Sequence, residues 1–270
     1  MKKPVIAVTI ADEKNMKYAK MLENSLRKFH TEKELPLKII SGEDLKAELA
    51  NDPHFFYRAT PVIGEKLLKE YDLVLKLDAD QIVTGDLNYI LNTKDYDVGT
   101  VLNWNRIDPQ TYGLVQGWGI SPVEYFNCGL VAMRSEKFVH HWAVICFTPQ
   151  FESESLQYKE QDLLNILCYY GNYNVRCFDH GDGIANYYSW HGLISKGEWL
   201  RAEMKGDKIV VPPDTSSKSA FAREWQIRVI HWAAGSGSAD KMNYKTKFSE
   251  DVIKRLDYLV GDKNEKNTTK

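Results

Sequence analysis

Apolar positions in this chain follow two rhythms, and the changes between them mark out its elements. Val5 to Ile10 is an almost unbroken apolar run that reads as a buried strand. From Asn15 to Phe29 the apolar positions fall three or four apart, with Tyr18, Leu22, Leu26 and Phe29 on one face, which predicts an amphipathic helix. Leu37 to Ile40 is a second strand, so the chain opens βαβ and its sheet is expected to be parallel. A short helix is expected over Asp44 to Leu49. Thr60-Pro61 reads as a helix start, Thr as N-cap and Pro at the first helical position, with the helix running to Lys69. Strands are expected at Leu73 to Leu77, Asp97 to Leu102 and Tyr125 to Met133. Ser135 caps a helix reaching Phe147, and Lys159 to Tyr170 forms another. After Gly171 the rhythm weakens into short strands and loops that end in Ile227 to His231. Ser249 then caps an amphipathic helix carrying Val252, Leu256 and Leu259, and the polar tail from Gly261 is expected to be disordered. With no repeat and no linker, residues 1–260 read as one α/β domain with a βα-rich front and a loop-rich C-terminal part.

One junction stands out. The strand Leu73-Val74-Leu75-Lys76-Leu77 runs straight into Asp78-Ala79-Asp80. The strand should stop there, because two unpaired carboxylates are costly to bury. Acids this close repel each other unless a cation lies between them. A hard divalent ion, Mg²⁺ or Mn²⁺, takes oxygen ligands and keeps positions open for phosphates. The plain alternative is a strand-end turn with two solvated aspartates. Placement at the carboxyl end of a buried strand favours the ligand reading, since open α/β sheets bind ligands there.

Composition narrows the possibilities. Net charge is only −2, with acids and bases interspersed, so nothing suggests nucleic acid as a partner. The apolar run after Met1-Lys2-Lys3-Pro4 is too short for a signal peptide core, and no stretch has the apolar length of a membrane span. Cys128, Cys146, Cys168 and Cys177 show no CxxC spacing, which points to reduced, mostly buried thiols in a cytoplasmic protein. Tyr187, Tyr188, Trp190, Trp199 and Trp225 could equally form a sugar-stacking platform for an acceptor or pack in a core.

The front half, with its DxD and the following Gln81-Ile82-Val83-Thr84-Gly85-Asp86-Leu87, resembles the GT-A-fold glycosyltransferases, and most closely family 8, the glycogenin and lipopolysaccharide-galactosyltransferase type. Further stretches appear in that family's order. Phe126-Asn127-Cys128-Gly129-Leu130 is similar to its Asn-small-Gly segment along the donor sugar. Glu160-Gln161-Asp162-Leu163-Leu164-Asn165 resembles its acidic-Gln-Asp-x-x-Asn helix start beside the anomeric carbon. Ile230-His231 and Gly235 resemble its closing His-x-x-Gly element, and Arg58 fits a basic residue that meets the donor. The closing segment departs from the family pattern: one extra residue precedes Gly235, and no Pro-Trp follows Lys241.

The resemblance implies a GT-A, Rossmann-like, mostly parallel sheet flanked by helices. It implies a metal-dependent transfer of sugar from a nucleoside diphosphate donor, UDP-hexose, to a glycan or other hydroxyl, with retention. Asp78, Asp80 and His231 would hold the metal, and an imidazole ligand shifts preference from Mg²⁺ toward Mn²⁺. Thr9, Ile10 and Ala11 would cup the base, with Arg58, Ala79, Asn127 and Gly235 also lining the donor. Glu160, Gln161 and Asp162 would carry catalysis, Gln161 nearest the reacting face. The resemblance also offers Asp108 as an acid near the sugar; apart from it, the three glycines of residues 103–119 (Gly113, Gly117, Gly119), with Trp104 and Trp118, suggest a lid over bound donor.

Two other classes also fit a DxD. Dehalogenase-type phosphohydrolases place one after a buried strand, and Gly181-Asp182-Gly183-Ile184-Ala185-Asn186 imitates their late acidic loop. Against this, the DxD lies far from the chain start, and Asn186 stands where an acid is wanted. A sugar-nucleotide-binding module without turnover is the other.

Overall fold

The computed structural model describes residues 2–48, 55–102, 117–121, 124–149, 160–178, 184–186, 202–213, 224–231, 245 and 248–261. The opening βαβ unit forms as its pattern requires. Strand β1 (Ile6–Ala11) leads into helix α1 (Met16–Arg27) and returns as β2 (Leu37–Ser41), parallel to β1. Tyr18, Leu22 and Leu26 of α1 are buried, so its apolar stripe faces the sheet as the spacing demands. Helix α2 (Gly42–Glu48) follows.

Helix α3 (Phe55–Leu68) corrects the expected start at Thr60. It begins a turn and a half upstream, and Pro61 lies inside it. A proline there gives up one helical hydrogen bond. Buried Ala59 and Thr60 lie on the added turns, so packing outweighs the local cap signal.

Strand β3 (Val74–Leu77) pairs parallel with β1 on one side and antiparallel with β6 (Phe126–Met133) on the other. Strand β5 (Val98–Leu102) runs antiparallel to β6 and parallel to β7 (Val175–Phe178). The six-stranded sheet has the order β2-β1-β3-β6-β5-β7. Three of its five pairings are parallel, and both antiparallel ones involve β6. Every residue of β6 is buried, as expected of a strand covered on both faces.

Between β3 and β5 come strand β4 (Gln81–Val83), in a stretch the sequence gave no reason to read as a strand, and the short helix α4 (Asn88–Asn92). Helix α5 (Glu136–Cys146) starts where expected, with the Ser135 hydroxyl accepting a hydrogen bond from the Phe138 amide. Helix α6 (Glu160–Tyr170) follows. The back of the chain gives β8 (Ile184–Asn186), β9 (Glu203–Lys205), β10 (Lys208–Val211), β11 (Trp225–Gln226) and β12 (Val229–His231). These form two small sheets, β11-β10-β9 and β4-β12-β8. Helix α7 (Glu250–Val260) buries Val252, Leu256 and Leu259 and ends at Gly261 in the left-handed conformation that glycine adopts freely. Trp225 packs in the core with Ile227, Ile230 and Leu256, so of the two roles open to it packing prevails. The other four proposed platform aromatics lie outside the described residues. Among the described residues no helix is long and apolar enough to cross a membrane.

Candidate metal and donor site

Two strand ends build the site. Asp78 and Asp80 follow β3 directly, and the Asp78 amide donates to the Gly129 carbonyl at 2.8 Å, which ties the turn to β6. The chain then continues as β4, and β12 returns antiparallel beside it with His231 opposite Gln81. His231 therefore reaches the two acids by pairing with the strand after them, not with β3 itself. Its Nε2 lies 3.3 Å from Asp78 Oδ2 and 3.4 Å from Asp80 Oδ1. One ligand atom from each of the three residues falls within 4.8 Å of the others.

The surroundings support a cation here. His231 is 3% exposed; its Nε2 faces both carboxylates in ion-pair range, while its Nδ1 completes no hydrogen bond among the described residues. Buried polar atoms are ordinarily paired, so an imidazole facing two carboxylates in this way suits a shared divalent ion. Two carboxylates and one nitrogen match the donor set of Mn²⁺ or Mg²⁺. Burial pulls the His231 imidazole down, but Asp78 and Asp80 overcome it and set the group at about 9. Burial raises the Asp78 carboxyl, and Lys76 and His231 more than offset that, holding it well below the usual range.

Lys76 is a residue the sequence gave no reason to choose. It is buried in β3, and its ammonium donates to Asp78 Oδ1 and, at 2.8 Å, to the Cys128 carbonyl. Burial lowers this ammonium's affinity for its proton, and Asp78 beside it carries the net shift upward. The available signal was a lysine in an apolar strand two residues before an acid, on the same face.

The Asn127-Cys128-Gly129 segment and the start of α6 form one bonded unit. Asn127 Oδ1 accepts from the Gly129 amide at 2.7 Å. Gln161 Oε1 accepts from the Cys128 amide at 2.9 Å, and its Nε2 donates to the Tyr125 hydroxyl at 3.3 Å. That hydroxyl donates to Asp162 Oδ1 at 2.6 Å. Asn165 clamps Phe126 through both its amide and its carbonyl. Glu160 opens the helix with its carboxylate turned inward, 3.9 Å from the Cys128 thiol, and its Oε2 is buried with no partner among the described residues. Burial lifts this carboxyl to about 8, against the pull of Lys76.

The remaining sequence candidates divide. Thr9, Ile10 and Ala11 end β1, parallel beside β3 with Val8 level with Lys76, so they approach the edge that carries the DxD. Thr9 and Ala11 are fully buried and Ile10 is half-buried. Ala79 is buried between the two acids. Arg58, in α3, stacks its guanidinium 5.1 Å over the Phe147 ring. Gly235, Asp108, Lys241 and most of the expected lid, residues 103–116, lie outside the described residues.

Residues 3–237 match the family model described as glycosyl transferase family 8. Among solved structures, the chain is similar to the galactosyltransferase LgtC in complex with donor and acceptor sugar analogues, at 18% identity and a TM-score of 0.58, covering 95% of each chain. It is similar to the bifunctional glycosyltransferase WbbM at 16% identity and a TM-score of 0.58, over 95% of this chain and 50% of that one. Mouse xyloside xylosyltransferase 1 follows at 10% identity and a TM-score of 0.52, over 88% of this chain and 100% of that one. No curated protein sequence matches the chain. At these identities the structures speak for a shared GT-A fold, and the family match carries the activity. It favours a transferase over a phosphohydrolase or a binding module. Of the phosphohydrolase-like stretch, Gly181 to Gly183 lie outside the described residues, and Ile184 to Asn186 form β8.

Proposed function

Because this chain belongs to glycosyl transferase family 8, we propose that it moves a hexose from a UDP-hexose donor to a glycan hydroxyl, with retention, at a site that uses Mn²⁺ in preference to Mg²⁺. The observation that carries the metal reading is the convergence of Asp78, Asp80 and His231 from two separate strand ends. A bound divalent cation supplies Lewis acidity to the departing diphosphate. The two carboxylates offer the oxygen ligands that a hard divalent ion takes, and His231 adds the nitrogen that favours a transition metal.

The other residues act on the donor. Thr9, Ile10 and Ala11 cup the base at the end of β1, while Arg58, Ala79 and Gly235 meet other parts of the donor. Asn127, Glu160 and Asp162 orient sugar hydroxyls, and Gln161 stands nearest the reacting face. The bonds from Gln161 to Cys128 and Tyr125 support this arrangement, because they fix the amide before substrate arrives. Residues 1–260 act as one domain. The buried Cys128 and Cys146 thiols support a reducing, cytoplasmic setting.

The test is a panel of nucleotide sugars with Mn²⁺, scored by thermal shift and by release of free nucleoside diphosphate. A ligand that binds only the folded state raises its apparent stability. Shift and turnover with a UDP-hexose support the reading. A panel without either contradicts it.

A further inference from the structure

The proposed reaction leaves Lys76 without a task, although it occupies a costly position. Its neighbours Val74, Leu75 and Leu77 are fully buried, and Lys76 is 4% exposed. An ammonium loses its hydration on burial, so a methionine or leucine would sit here at less cost. In exchange the ammonium finds two acceptors, Asp78 Oδ1 and the Cys128 carbonyl. Asp78 is thereby divided: Oδ1 meets the ammonium, while Oδ2 faces His231 Nε2 at 3.3 Å. Asp78 and Asp80 together offer two negative charges, and the ammonium fixed on one of them cancels half.

We propose that Lys76 tempers the cation site, so that the bare divalent ion binds weakly and is loaded together with the anionic diphosphate of the donor. The inference rests on the reading of Asp78, Asp80 and His231 as metal ligands. A positive charge one carboxylate away repels an incoming cation through a poorly screened interior. The diphosphate restores the missing negative charge. Cation and diphosphate are then strongly coupled, each raising the other's affinity by the same factor.

The experiment titrates Mn²⁺ into the protein, with and without UDP, and reads free Mn²⁺ by electron paramagnetic resonance. Wild type is compared with Lys76→Met and Lys76→Gln, both neutral, the second keeping a hydrogen-bond donor for Asp78. Bare Mn²⁺ should bind either variant about tenfold or more tightly than it binds wild type, and the gain from adding UDP should shrink. Unchanged or weaker bare-ion binding in a folded variant overturns the proposal. Wild type alone also decides. Mn²⁺ binding that is equally tight with and without UDP overturns the tempering role while leaving the metal site in place. Wild type that binds no Mn²⁺ under either condition removes the metal reading itself, and the proposal with it.

Discussion

The ring of His231 fills the space that a side chain at Gly129 would need. A Cβ built there would stand 2.1 Å from His231 Cε1 and 2.6 Å from Nδ1. The glycine of the Asn127-Cys128-Gly129 segment thus leaves room for the imidazole, while its carbonyl accepts from the Asp78 amide and from Gln81 Nε2. Two motifs about a hundred residues apart in sequence serve one geometry.

Gly129→Ala should therefore displace His231. Overpacking of this kind costs about 1–3 kcal/mol of stability, and Mn²⁺ affinity should fall about tenfold or more with the misplaced ligand. His231→Ala introduced with it should restore part of the stability, because the ring is gone while Asn127 Oδ1, 2.7 Å from the new methyl, remains. Chemical denaturation of the four proteins in a double-mutant cycle measures this. Contacting residues couple by roughly 0.5–3 kcal/mol, and strictly additive losses would mean the two positions do not compete for space.

Metal affinity should rise with pH. In the metal-free protein His231 is raised from 6.5 to about 9. Its ion pairs with Asp78 and Asp80 contribute fully below the unfolded value and are lost as pH climbs toward 9. Metal binding requires the neutral ring, so the cation gains over the window in which the ion pairs fade. Melting temperature without metal should decline between 6.5 and 9, and the shift on adding Mn²⁺ should grow. His231→Ala should abolish the growing Mn²⁺ shift and lessen the metal-free decline, leaving the part that Glu160 causes below pH 8, and a pH-independent Mn²⁺ affinity in wild type would count against the assignment.

Glu160 gives a second, separable pH effect. Its carboxyl, raised from 4.5 to about 8, stays protonated in the fold over a range where the unfolded chain is ionised. The native state then holds the extra proton, so stability falls as pH rises from 4.5 to 8. Glu160→Gln is neutral throughout and should be more stable than wild type near pH 8, with the gap closing by about pH 5. Thermal melts across that range check it; a constant gap would place the Glu160 carboxylate in a solvated setting.

Much of this architecture was legible in the sequence, because the signals were local. The stripe of α1, the cap at Ser135 and the apolar run ending in Asp78 each state their structure within a few residues. The start of α3 was not, since packing of Ala59 and Thr60 overrides a good local cap. Strand β4 was hidden because Gln81-Ile82-Val83 is too short to show a period; its partner Val229–His231 lies about 150 residues away. The antiparallel insertion of β6 was equally invisible, as strand direction is set by long-range pairing. At the site, the DxD and His231 could be named from the sequence and the family resemblance. The contact of Lys76 with the Cys128 carbonyl and that of Gly129 with His231 could not, because both depend on tertiary packing between distant segments.

The central claim is that Asp78, Asp80 and His231 hold one divalent cation at the donor's diphosphate. Crystals grown with Mn²⁺ and UDP test it most directly, through anomalous scattering at the manganese edge. A single strong peak is expected about 2.2 Å from carboxylate oxygens of Asp78 and Asp80 and from His231 Nε2, the usual scale for such ligands, with the diphosphate on its open side. Bound UDP with no peak there, or a peak coordinated by other side chains, would contradict it.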